Sequence, residues 1–259
     1  GEHMSAFSSF ASLWPASALP LNFLICSGGF TNILYAFGLG YGACMTTNAG
    51  LTAAVATYHH KAPLTPFGLA CCGLYAAYGV RLTSFLLRRE EEESYAPRFE
   101  SVQLKSDMMG MGSKFALVAG VSCAQALYAL PLVVATSPST RRARPAVRAI
   151  GWAGVVFAAA GLLVEHLADE QKLSAKRSAP NAPVMDGLYG FCRHPNYFGE
   201  LLFHGGVSCM GAAGSPLQVV CCVVPTFFMA SVLNNSARRV DREGEHRYAK
   251  FDGYKRWAP

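Results

Sequence analysis

Apolar residues in this chain gather into long runs with almost no charge, separated by short polar connections. A helix needs roughly 20 such residues to cross a bilayer. The first run predicts a span over about 19–39, and a weaker one follows over about 42–58, with Thr46, Thr47 and Asn48 placed to bond neighbouring helices. His59, His60 and Lys61 close that span at an interface. Further spans are expected over about 66–87, 115–134 and 150–164. A short sixth covers about 201–213 and contains His204; a seventh covers about 216–233. Short helices in membrane proteins border cavities rather than lipid. The pattern predicts an all-α, polytopic bundle of about seven transmembrane helices.

The polar connections refine this picture. Residues 88–111 carry Arg88, Arg89 and the acidic run Glu90 to Glu93, which reads as a solvated helix or loop. Arg141, Arg142, Arg144 and Arg148 form a basic connection. Beyond Val164 the fifth run turns polar, and Glu165, Asp169 and Lys172 share one face if the helix continues. Spacing alone favours solvated ion pairs there. Arg81, inside the third span, either faces a polar partner or snorkels to the headgroups. With seven spans, segments 88–114, 172–193 and 238–256 fall on one side and hold 16 of the 22 Lys and Arg residues. The positive-inside rule places that side in the cytosol, and the arginines at 141–148 oppose it.

Composition agrees with a membrane protein: 52% of the 259 residues are apolar and 15% charged. Gly1 to His3, ahead of Met4, read as a cloning remnant; residues 4–259 read as one integral membrane domain whose cofactor-binding half covers about 150–259. The nine cysteines form no CxxC pair and lie mostly in apolar runs, so no metal site is expected. The net charge of +6 suits anionic headgroups or a phosphate-bearing cofactor. Nucleic acid is not expected, because the basic residues are confined to short connections between spans.

The densest polar chemistry lies between Asp186 and Glu200, where Arg193, His194, Asn196, Tyr197 and Glu200 precede an apolar run. Pro195 suits the first turn of a helix and holds His194 extended. A helix start with Arg193 beside it is a place for an anion. The tail interleaves Arg238, Arg239, Arg242 and Arg247 with Tyr248, Phe251, Tyr254 and Trp257, as a headgroup-level helix or a lid over an anionic ligand would.

The stretch Tyr189 to Glu200, with Arg-His-Pro-Asn-Tyr-Phe-Gly-Glu at its core, resembles the signature of the steroid 5-alpha-reductase C-terminal-like family; sterol reductases carry a related motif. Upstream, Glu165-His-Leu-Ala-Asp169-Glu-Gln171-Lys172 resembles the element that precedes the signature in that family. Tyr78-Gly-Val-Arg81-Leu resembles a weaker one, and the tail up to Trp257-Ala-Pro259 has the family's aromatic-basic ending on proline. The resemblance covers the last hundred or so residues well and the earlier ones poorly.

It implies a membrane-embedded, NADPH-dependent reductase of a carbon–carbon double bond in a lipid or steroid-like substrate. The expected location is the endoplasmic reticulum or another organelle membrane, with the cofactor side toward the cytosol. Carried over by motif, Glu165, Asp169, Lys176, Asn196, Tyr197 and Glu200 contact the nicotinamide or ribose, and Arg238 and Arg242 hold phosphates. Lys172, Arg193, His194 and Tyr248 complete the candidate cofactor set, and Tyr75, Tyr78 and Tyr197 are the candidate proton donors. One departure stands out: steroid reductases use a Glu and a Tyr on early helices to polarise the enone, and no Asp or Glu occurs in the spans before residue 88. That weighs against a 3-oxo-steroid. Two other readings remain open. Isoprenylcysteine and phospholipid methyltransferases share an Arg-His-Pro-x-Tyr-x-Gly core and use S-adenosylmethionine. A non-catalytic subunit of a membrane complex could retain the pocket.

Overall fold

The structure, a computed structural model, describes residue 14 and residues 16–93, 95–251, 253 and 254. It is all-α among these residues, and four helices are long and apolar enough to cross a membrane. The chain is thus a polytopic helical membrane protein. Trp257 and Pro259, expected to close the tail, lie outside the described residues, as does most of the lead-in before the first span.

Helix α1 (Ala16–Phe30) ends well short of the expected 39. Asn32 makes the break: its side-chain oxygen accepts from the Leu34 N–H at 2.9 Å, and its amide donates to Gln103 at 2.8 Å. Such a local side-chain bond offers the backbone an alternative to helix, which hydropathy cannot register. The chain turns and re-enters through a π-helical turn, Tyr35–Leu39, that runs into α2 (Gly40–His60). Helix α3 (Pro66–Glu90) starts on Pro66, with the Thr65 side chain accepting from the Gly68 N–H. The acidic connection folds partly into α4 (Ala96–Asp107). Next come α5 (Met111–Tyr128) and the short α6 (Leu130–Ala135), which together make one apolar span. A five-residue helix, α7 (Pro138–Arg142), precedes α8 (Pro145–Ser178), the longest at 34 residues. Helix α9 (Pro195–Met210) starts at Pro195 as the sequence predicts, and α10 (Pro216–Tyr248) opens with a Ser215/Gln218 capping box.

Helices α8 and α9 pack backbone to backbone. Small residues at 154, 158 and 161 on α8 face 199 and 206 on α9. A Cβ added at Gly161 would lie 2.6 Å from the Gly199 carbonyl oxygen, and one at Gly199 would lie 2.5 Å from the Glu165 nitrogen. Without a hydrophobic drive between helices in lipid, such close approach is what lets dispersion and polar contacts hold them. Gly42 and Gly79 join α2 to α3 by the same device. These two close pairs fix the bundle end where α3 and α8 finish and α9 begins. Arg88 pairs with Glu170 there, and Arg177 with Glu92 at 2.5 Å.

Candidate functional site

At that end lies a cavity of about 330 Å³. Its apolar walls include Leu34, Phe37, Leu82, Phe85 and Leu86, and its polar wall includes Tyr41, Arg89, Glu165, Asp169, Asn196, Tyr197 and Glu200. Five candidate cofactor residues, Glu165, Asp169, Asn196, Tyr197 and Glu200, therefore meet in one hollow although 35 positions separate the first from the last. The proline-started α9 supplies Asn196, Tyr197 and Glu200, and the close Gly161/Gly199 crossing brings them against Glu165 and Asp169.

Arg81 is the keystone of the polar wall. Its guanidinium bonds Glu165 at 2.6 Å and also Asp169, with Glu165 and Asp169 only 3% and 6% exposed. Arg81 thus turns inward to a partner rather than snorkelling. The expectation of solvated ion pairs on the Glu165/Asp169 face is overturned, because α9 covers that face and takes both carboxylates out of water. A planar fork suits two carboxylates at once. Asp169 in turn accepts from the Asn196 amide at 3.2 Å. Two buried acceptors in this wall, one oxygen of Glu165 and the side-chain oxygen of Asn196, have no hydrogen-bond partner among the described residues, nor does the Arg89 Nε. Unsatisfied buried polar atoms are costly, so those on this cavity point to a ligand that supplies the missing bonds.

The tyrosines divide. Tyr78, fully buried behind the cavity, donates to Glu165 at 3.5 Å. The tyrosine–carboxylate pair that the early helices lack in sequence is thus assembled across α3 and α8. Tyr197 lines the cavity and stacks on His194 with ring centroids 5.1 Å apart. Tyr75 points elsewhere and donates to the Tyr128 backbone carbonyl. Sequence reasoning missed Tyr41, which lines the cavity and shares a 2.5 Å hydrogen bond with His204. It also missed Arg89, which lies over the Tyr95 ring at 4.5 Å, and Tyr35, which donates to Glu90 at 2.9 Å. That bond pushes the Tyr35 phenol above its usual range. Tyr41 carried no signal in an apolar run; the doublet Arg88-Arg89 did, but was grouped with the acidic run that follows as a solvated helix or loop.

The remaining candidates lie outside the hollow. Arg193 and His194 both engage Asp241 on α10, at 3.4 and 2.9 Å, and so tie the start of α9 to that helix. Lys176 donates to the Pro180 and Ala182 carbonyls and to the Tyr248 hydroxyl at 2.8 Å, which folds back the segment after α8. Lys172 is half-buried one turn beyond Asp169. Arg238 and Arg242 are exposed on α10, and Arg242 donates back to the Arg238 carbonyl. Gln171 accepts from the Leu188 N–H at 2.9 Å and abuts Gly187, whose φ of +61° favours glycine. The upstream element and the signature are therefore physically joined. At the turn that follows, burial raises the Tyr189 phenol.

Residues 42–258 match the family model described as "Protein of unknown function (DUF1295)". The chain belongs to that family. The DUF1295 family is loosely linked to steroid-reductase-like membrane proteins, and its match spans both close helix pairs and the polar wall from Arg89 to Glu200, though not Tyr41. No curated protein and no solved structure matches the chain.

Proposed function

We propose that this protein is a membrane-embedded reductase that uses NADPH to saturate a carbon–carbon double bond in a lipid-like substrate. The observation that carries the reading is the pair of partnerless acceptors, on Glu165 and Asn196, in one cavity with the Arg81-held carboxylates. Carboxamide and ribose hydroxyl groups donate hydrogen bonds of the kind these oxygens lack, so the residues fit a nicotinamide nucleoside. A cavity of about 330 Å³ is at the small end for ligand sites. It suits that end of the cofactor, and the phosphates fall to basic residues beyond the rim, such as Arg238 and Arg242.

Bound NADPH would supply a hydride. Glu165, Asp169 and Glu200, grouped about Arg81, would offer carboxyl oxygens to the donors of the nicotinamide and ribose. The apolar walls at Leu82, Phe85 and Phe37 offer a surface for the hydrocarbon of the substrate. The second hydrogen is a proton, and the phenols at the cavity can give it: Tyr197 and Tyr41 at the wall, with Tyr78 behind them against Glu165.

Thermal unfolding of the detergent-solubilised protein tests the reading, since a ligand that binds only the folded state raises Tm. NADPH should raise it in the wild type, and much less in Asn196→Ala. A shift with S-adenosylmethionine and none with NADPH would overturn the proposal in favour of methyl transfer.

A further inference from the structure

The larger hollow is at the opposite end of the bundle. It measures about 540 Å³ and shares no lining residue with the candidate site. Its floor is apolar: Phe67 and Trp152 meet edge to face with ring centroids 5.3 Å apart, and Met210 and Ala213 complete it. Its rim carries Arg141 and Arg148.

The charge around this hollow is unbalanced. No Asp or Glu occurs in residues 3–89, 108–164 or 201–240, the segments that build this end. Arg141, Arg142, Arg144 and Arg148 accordingly have no ion-pair partner among the described residues. Arg141 donates one bond, to the Pro63 carbonyl at 3.2 Å, which sets the guanidinium at the mouth and leaves its other donors. Four exposed arginines with no acidic neighbour give this end a positive field that favours an anion. This is also the cluster that opposes the positive-inside count, so its placement calls for a cause other than topology. Trp152, 45% exposed, is suited to the headgroup depth at which such a mouth would open.

We infer that this hollow binds an anionic phospholipid, its phosphate held by Arg141 and Arg148 and an acyl chain lying on the Phe67/Trp152 floor. A cationic rim over an apolar floor matches a ligand that is anionic at one end and hydrocarbon at the other. Arg meets phosphate with a bidentate fork, and the floor gains from covering its apolar surface.

The test is Tm and lipid retention of the full chain in neutral detergent, with added phosphatidylglycerol, phosphatidylcholine or inorganic phosphate. Phosphatidylglycerol should raise Tm by about 5 °C near saturation and co-purify by mass spectrometry. Arg141→Ala/Arg148→Ala should lose both effects. Arg142→Ala/Arg144→Ala removes the same charge outside the hollow and should keep them. Ala149→Phe, at an exposed lining position, should obstruct the chain and lose the shift with the arginines intact. Equal shifts with phosphatidylcholine, an equal shift with inorganic phosphate, or a shift that survives Arg141→Ala/Arg148→Ala would each overturn the inference.

Discussion

Arg81 on α3 reaches Glu165 on α8 at 2.6 Å across 84 positions of sequence, and the same guanidinium holds Asp169 one turn further on. The contact makes α3 part of a site whose other polar members come from the second half of the chain. Removing one partner of a buried ionic group leaves an uncompensated charge, at a cost of about 3–5 kcal/mol. Arg81→Met should therefore lower Tm sharply. Arg81→Lys keeps the charge but loses the fork, so it should retain part of the stability and lose most NADPH binding. Thermal unfolding and cofactor titration of both variants check this.

Gly199 sits where a methyl group would lie 2.5 Å from the Glu165 backbone nitrogen. Backbone cannot yield as a flexible side chain does, so Gly199→Ala should cost about 1–3 kcal/mol by overpacking. It should also weaken NADPH binding by pushing Asn196 and Glu200 away from Glu165. Gly205→Ala, on the same helix but with open space around it, is the control and should be neutral or slightly stabilising. Equal Tm values for the two variants would contradict the close α8–α9 crossing.

Several of these features were legible in sequence. Pro66, Pro195 and Pro216 mark helix starts because proline's missing donor costs nothing there, and all three stand at the first helical position. The convergence of Asn196 and Glu200 with Glu165 and Asp169 followed from two motifs. Their burial did not: periodicity shows which residues share a face, not what covers it. The Asn32 turn was hidden because one side-chain bond outweighs a continuous apolar run. Tyr41 was hidden because its role depends on His204, 163 positions away.

Arg193 illustrates the same limit. Sequence placed it beside the helix start as an anion ligand, whereas its guanidinium lies 3.4 Å from Asp241, outside the hollow. Asn196 lines the cavity and bonds Asp169. Asn196→Ala should thus weaken NADPH binding by up to about tenfold, the upper end for a lost neutral hydrogen bond. Arg193→Ala should have a smaller effect, read chiefly as a loosened start of α9. Isothermal titration with each variant separates them; a larger loss for Arg193→Ala would mean that the phosphates dock beside it.

Phenylalanine substitution separates the tyrosines, because it removes only the hydroxyl. Tyr75 donates to the Tyr128 carbonyl inside the bundle and does not line the cavity, so Tyr75→Phe should cost about 1 kcal/mol of stability and leave turnover nearly unchanged. Tyr78 donates to Glu165, and Tyr197 lines the cavity. If either gives the proton to the substrate, its Phe variant should lower kcat by about 100-fold, the low end for a positioned acid, while NADPH binding persists. Tyr41→Phe breaks the bond to His204 as well, and His204→Phe breaks it from the other side. Matching losses in those two variants, with Tyr78→Phe active, would assign proton delivery to Tyr41. Single-turnover reduction followed by NADPH absorbance distinguishes these outcomes, because it isolates the chemical step from release of product.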